Sequence, residues 1–295
     1  MKKSKQLVII AALLAGLMVM GAGSLSAQFK LPDDVGDALD FAKDAHEAAK
    51  PWTYPEERAT GRVLAAKVAK HFGGVWKHER WNLYVNLMGR SLVPYSKRPD
   101  IKYRFAILNT DDVNAYSCPG GYIFVTRGLL KLAENEAQLA GVLAHEIAHV
   151  ANRHIEKEVK KQKLGAAVLD HGLDFATEEG EISHQEAEIL KSVSDAGWKV
   201  LIRKGYTKQD EFEADHDATK NVYKLGYNPY ALRGMLNQLQ KGKAKKKKLE
   251  ILLSTHPASD KRIDKIEHYI DKKGWKKQKD LKDRYRRMKK EFPLP

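Results

Sequence analysis

The sequence predicts a mainly helical α+β fold with one small antiparallel sheet. Three observations carry that expectation. Apolar residues recur at three- and four-residue spacing over most of the chain. The β-like runs are few, short and grouped together between residues 101 and 125. A chain of 295 residues can bury an ample core, as one large domain or two small ones.

The first residues read as an export signal. Lys2, Lys3 and Lys5 precede an apolar run from Leu7 to Met20, which is short for a spanning helix. Ser24, Ser26 and Ala27 follow as cleavage-site candidates, so residues 1–27 are expected to be removed; an uncleaved anchor is the alternative. No Cys follows the run, which argues against a lipid anchor. Residues 28–55 are polar, carry Pro32, Pro51 and Pro55, and read as an N-terminal arm with a short helix over Asp37–Ala49. No later stretch is long and apolar enough to span a bilayer.

The periodicity then predicts helices over Glu56–Phe72, closed by Gly73-Gly74, and over Trp81–Leu92, where Leu83, Leu87 and Met88 form the packing face. Tyr103, Phe105 and Ile107 alternate along a strand from Ile101 to Leu108. Asn114–Cys118 and Tyr122–Val125 are two further runs, joined by a Pro119-Gly120-Gly121 turn. Gly128–Ala133 reads as a short helix or turn. A buried helix over Asn135–Glu158 follows from Leu139, Val142, Leu143, Ile147 and Val150, with Asn135 and Gln138 spaced as a capping box. Residues 160–204 read as mostly helical, with an acidic loop between Gly172 and Gly180; His171 and His184 there read as exposed. Helices over Asp210–Leu225 and Tyr230–Gln240 come next, then a basic linker from Lys241 to Lys248 and another helix within Leu249–Tyr269.

The formal net charge of +14 is concentrated at the end. Between Lys241 and Pro295 there are 20 Lys or Arg and 8 Asp or Glu, a difference of +12. The default expectation for Lys272–Pro295 is a solvated basic tail; an amphipathic helix against the domain or a membrane is the alternative. The charge suits peripheral contact with an anionic membrane or envelope polymer, and export argues against nucleic acid. Cys118 is the only cysteine, so no internal disulfide can form, and it reads as a small strand residue rather than a nucleophile.

Chemistry concentrates in His145-Glu146-Ile147-Ala148-His149. On a helix, residues four apart differ by about 40° around the axis, so the two imidazoles stack on one face and can grip one Zn²⁺. Glu146 lies about 100° round, within reach of a water on that metal. Burying two histidines and a glutamate on an apolar helix without a partner would be costly. A third ligand is needed, since catalytic zinc usually has three protein ligands and an open position. His154 fails as that ligand, because a continuous helix puts it about 140° from His149; it reads as structural or as support for a ligand. The better candidate is Glu211, in Glu211-Phe212-Glu213-Ala214-Asp215. Asp215 shares its face and can fix a ligand histidine, while Glu213 should point away.

Three features together resemble the gluzincin metallopeptidases of family 48. They are His145-Glu146-x-x-His149, Glu211-x-x-Ala214-Asp215, and His256-Pro257 with Arg262 six residues after the histidine. Asn114-Ala115-Tyr116, Pro119-Gly120-Gly121, Gly128-Leu129-Leu130 and Gly226-Tyr227-Asn228-Pro229 extend the likeness over roughly residues 56–270. The resemblance implies a zincin-like fold, one Zn²⁺ per chain held by His145, His149 and Glu211, and Glu146 as general base. It further implies Asp215 as support for a ligand, and His256 and Arg262 beside the cleft. Both would stabilise the oxyanion, or, for His256, cap the metal at rest. Neither the multi-span architecture of the prenyl proteases and heat-shock relatives nor the helical repeats of the periplasmic relatives is expected here.

The expectation is a zinc metalloendopeptidase cleaving proteins of the bacterial cell envelope, with domain limits at 56 and 270 and a basic tail over 271–295. The strand at Asn114, Ala115 and Tyr116, or that at Tyr122–Val125, would align an extended peptide; a purely structural meander is the alternative. An envelope chaperone with a self-blocked or structural zinc site is the main alternative, and a zinc hydrolase of a non-protein envelope polymer the weaker one.

Overall fold

A computed structural model describes residues 50–164, 184–241, 252 and 254–295. The export signal, the helix expected over Asp37–Ala49, the acidic loop with His171, and most of the basic linker lie outside the described residues. Two units divide the chain, Met1–Pro51 with Lys160–Asp174, and Trp52–Val159 with Phe175–Pro295. The second carries the features that follow, apart from residues 160–164.

α1 (Tyr54–His71) starts two residues before the sequence suggests, because Thr53 caps it and forms a reciprocal capping box with Glu56. α2 (Glu79–Leu92) turns Trp81, Val85, Met88 and Leu92 inward. Leu83 and Leu87, expected on the packing face, are 50% and 56% exposed. The larger apolar surface of Trp81 and its four-residue repeat to Val85 set the rotation instead.

β1 (Arg104–Leu108), β2 (Ala115–Cys118) and β3 (Tyr122–Thr126) form a three-stranded sheet in the order β1-β3-β2. The sheet is mixed rather than antiparallel: β2 and β3 pair antiparallel, but β1 and β3 pair in parallel. The turn at Pro119–Gly121, with Gly120 at φ +71° and Gly121 at φ +92°, reverses the chain between β2 and β3. The chain also reverses between β1 and β2, which leave a strand's width between them. Two reversals restore the original direction, so β3 enters the gap parallel to β1. Alternation in a sequence identifies strands but not their neighbours.

α3 (Arg127–Leu132) leads into α4 (Glu136–Ala151), capped by Asn135, whose side chain accepts from the Gln138 N–H at 2.9 Å. Every residue of α4 is buried. The helix expected over 135–158 is broken after Ala151; Arg153 is left-handed at φ 56°, and α5 (His154–Leu164) begins in a new direction. α6 (His184–Lys199) ends in a π-type turn, Val200–Lys204. α7 (Lys208–Lys224) packs most extensively on α4, and α8 (Ala231–Gln240) covers another side of it. α9 (Asp260–Lys272) lies against α7 and α8.

The C-terminal residues, expected by default as a solvated tail, form α10 (Lys282–Glu291). Its Tyr285 is fully buried and donates to the Leu130 carbonyl at 2.7 Å. Trp81 meets Tyr285 edge-on, and the Trp81 indole donates to the Phe292 carbonyl at 2.8 Å. Arg284 pairs with Glu136, the buried first residue of α4, which also accepts from Tyr84 and Tyr227. Burying one aromatic ring contributes about 1.5–3 kcal/mol, enough to hold a short basic helix against the domain. Among the described residues, no helix is long and apolar enough to cross a membrane.

Candidate active site

α4 and α7 face each other across the site. The Thr207–Asp210 capping box fixes the start of α7 and sets Glu211 and Asp215 on one face, four residues apart. On α4, the Nε2 atoms of His145 and His149 lie 3.0 Å apart. Glu211 Oε2 is 3.6 Å from His145 Nε2, and Glu211 Oε1 is 3.5 Å from His149 Nε2. His256 arrives from the loop before α9, its Nδ1 2.8 Å from Glu211 Oε1. One donor atom from each of His145, His149, Glu211 and His256 falls within 4.8 Å of the others.

Support comes from behind. Asp215 Oδ1 is 3.1 Å from His145 Nδ1. Arg262, in the first turn of α9 and only 3% exposed, reaches both Asp215 and Glu211. Burial alone raises the Glu211 pKa, but Arg262 and His256 outweigh it and hold the carboxyl well below its usual range. Asp215 is likewise pushed up by burial and brought below normal by Arg262 and His145. His149 is held well below the usual imidazole value by burial and then by His145. His256 goes the other way: burial lowers it, yet Glu211 keeps it above normal.

Glu146 is 2% exposed, and its Oε2 has no hydrogen-bond partner among the described residues. A buried carboxylate oxygen left bare costs about 1–3 kcal/mol or more, so it marks a place built for a partner. Two imidazoles and an ionised carboxylate converging on one point are the donor set that Zn²⁺ prefers. The residues present fit the metal.

Sequence reasoning missed Tyr206, and it named no partner for His154, expected as structural or as support for a ligand. Tyr206 stacks on His149 with ring centroids 3.9 Å apart and an 18° angle between planes. No spacing rule links residue 206 to residue 149. His154, set aside as a ligand, places its Nδ1 2.7 Å from His149 Nδ1. Glu213 does turn from the cluster, towards His154 Nε2 at 3.3 Å and Lys97 Nζ at 2.9 Å. The substrate-aligning candidates Asn114, Ala115 and Tyr116 are all buried where β2 begins. The Asn114 carbonyl accepts from the Thr126 N–H at 3.0 Å, and its own N–H donates to Thr126 Oγ1 at 3.0 Å. Cys118 is fully buried, and burial drives its thiol pKa up, as suits an inert packing residue.

A His-Glu-x-x-His helix faced by a glutamate helix, beside a small sheet, defines a metallopeptidase domain. The chain belongs to peptidase family M48, which it matches over residues 79–270. It is 30% identical over 184 residues to the beta-barrel assembly-enhancing protease of Escherichia coli K12, covering 61% of this chain and 37% of that protein. The protein of the same name from Yersinia pestis is 29% identical over 180 residues. The mitochondrial metalloendopeptidase OMA1 of Schizosaccharomyces pombe is 26% identical over 192 residues, which is 64% of this chain and 52% of the relative. The chain thus spans 37% of the length of the bacterial relatives it matches.

Proposed function

We propose that this protein is a zinc-dependent endopeptidase acting on misfolded or unassembled proteins of a bacterial cell envelope. The observation that carries this reading is the buried Glu146 oxygen, without a partner among the described residues, beside the His145–His149–Glu211 cluster. His145, His149 and Glu211 would hold Zn²⁺. The metal would lower the pKa of a water towards neutrality and polarise the scissile carbonyl. Glu146 takes the proton of the attacking water and returns it to the leaving amine. Asp215 orients His145 through Nδ1, and Arg262 holds Asp215 in place. Arg262 supplies positive charge for the oxyanion, and His256 stands beside it in the cluster.

β2 is an edge strand and would align the substrate by main-chain hydrogen bonds. Asn114 is already engaged with Thr126, so by strand alternation the groups facing away from β3 belong to Ala115 and Ser117; the Ala115 N–H donates to Asn114 Oδ1 at 2.8 Å, which leaves the Ala115 carbonyl and the Ser117 main chain for a substrate. The envelope location rests on the export-like residues 1–27, and the domain limits proposed are 56 and 270. The exposed basic residues Arg286 and Arg287 of α10 suit peripheral contact with an anionic membrane or polymer.

A second reading is favoured by His256, whose place in the cluster could close the fourth metal position. The protein would then bind unfolded chains without cutting them. Glu146→Gln separates the two, because it keeps the candidate ligands and removes the base. Wild type and variant should both bind one zinc, and the variant should cut an unfolded protein about 10²–10⁴-fold more slowly. Equal, negligible cutting by both would sink the peptidase reading in favour of the binder.

A further inference from the structure

His149 has a second nitrogen, and the structure constrains it. His149 Nδ1 and His154 Nδ1 are 2.7 Å apart, with His154 fully buried. Two ring nitrogens at that distance share one proton, so one ring donates and the other accepts. A histidine that ligates metal through Nε2 must carry its proton on Nδ1. His149 is then the donor and His154 the acceptor. The His154 proton moves to its Nε2, which faces Glu213 Oε2 at 3.3 Å, with Asp210 Oδ1 at 3.6 Å. Glu213 is fixed in turn by Lys97 at 2.9 Å, and Lys97 also contacts Asn152 and Asp217 at 2.8 Å each.

The backbone is built to make this contact. Had α4 continued, His154 would stand about 140° from His149. Instead Arg153 adopts φ 56°, a conformation costing a non-glycine residue roughly 1–2 kcal/mol. Arg153 is held there by Glu57 at 3.1 Å and by the Trp52 carbonyl at 3.0 Å. The turn brings His154 back beneath His149. Strain retained at that position calls for a purpose, and the His149 contact supplies one.

We propose that His154 is a positioning residue that fixes the tautomer and ring orientation of His149, leaving Nε2 bare for the metal, through the line His149–His154–Glu213–Lys97. The inference rests on the zinc reading above and concerns binding rather than turnover. The two ligand histidines then have unlike supports: a carboxylate, Asp215, behind His145, and a neutral imidazole behind His149. A carboxylate behind both would add a further negative charge to the buried cluster; an imidazole orients His149 without it.

The test measures zinc affinity of the purified full chain by competition with a chelator, and the visible absorption bands of the Co²⁺-substituted protein. His154→Phe removes the acceptor and should weaken zinc binding about 10–100-fold, with shifted Co²⁺ bands. His154→Gln offers an amide oxygen to the His149 N–H and should recover most of that loss. Glu213→Leu, at a side chain 34% exposed, should weaken zinc binding in the same direction by less. Unchanged zinc affinity and Co²⁺ bands in Glu213→Leu and His154→Phe would overturn the proposal, as would a Gln variant no better than Phe. Should His154→Phe fail to fold, the Gln and Leu variants decide alone. A wild type that binds no zinc would overturn the underlying zinc reading instead.

Discussion

Arg262 grips Asp215 at two points: its Nε and one terminal nitrogen each lie 2.7 Å from a different carboxylate oxygen. Both side chains are almost wholly buried. A planar fork on a carboxylate fixes direction as well as distance, which a lysine cannot do. Under the proposed zinc reading the pair would serve as a rigid backing for His145. Removing one partner leaves the other charged and buried. Arg262→Ala is expected to destabilise the metal-free protein by about 3–5 kcal/mol, read from urea denaturation. Arg262→Lys should keep the charge but lose the fork, and recover only part of that loss. A variant as stable as wild type would show the pair to be dispensable.

Glu211 and His256 compete for the role of third ligand, since both belong to the same cluster. Arg262 and His256 hold Glu211 ionised, which favours the carboxylate. Glu211→Ala should lower zinc affinity by more than about 100-fold, because even an outer partner is worth 10–100-fold. His256→Ala should leave most of the affinity intact. The opposite pattern would exchange their roles.

How much of this was legible beforehand follows from what each signal encodes. The α4 motif was legible because helical periodicity and ligand spacing share one period, and Asn135 marks the start. The break at Asn152–Arg153 was not, because neither residue is Gly or Pro; an arginine in the left-handed region is paid for by tertiary ion pairs that local sequence does not reveal. The same break sets the partner of His154: on one continuous helix it would stand about 140° from His149, so a reading as structural or as support for a ligand could name no partner. Leu83 and Leu87 fit a helical stripe as well as Trp81 and Val85 do, so periodicity located α2 without deciding which stripe is buried. Strand order was out of reach, because β1 meets β3 only after two chain reversals.

The C-terminal helix carries a pH signature. Lys289 donates to the carbonyls of Lys131 and Ala133 at 2.8 and 2.7 Å, satisfying the end of α3. Burial pushes its pKa down to about 8, with Glu134 acting in the opposite direction. An unfolded lysine titrates near 10.4. Between about pH 8 and 10.4 the unfolded chain therefore holds a proton that the folded chain has released. Stability attributable to Lys289 rises with pH across that window and is flat below it. Lys289→Met should remove this rise, compared with wild type by urea denaturation from pH 7 to 10. Identical pH profiles would mean that α10 does not bury the amine.

Gly205 sets the position of His256. Its φ of +70° with ψ of −174° lies where only glycine is at ease. A Cβ there would stand 2.5 Å from the Thr255 carbonyl oxygen, and the next residue, Tyr206, donates its N–H to that oxygen at 3.3 Å. The loop carrying His256 is thus pressed against a residue with no side chain. Gly274 makes a useful control, because it also has positive φ, +63°, but a Cβ there meets nothing within 4 Å. Gly274→Ala should cost roughly 1–2 kcal/mol, the backbone strain alone. Gly205→Ala meets a larger backbone strain, because its ψ lies outside the left-handed helical region, and it must also move the Thr255 backbone. It should cost more than the control and shift the imidazole NMR signals of His256, whereas Gly274→Ala should leave those signals in place. Equal stability losses and an unmoved His256 in both variants would mean that the loop finds its place without Gly205.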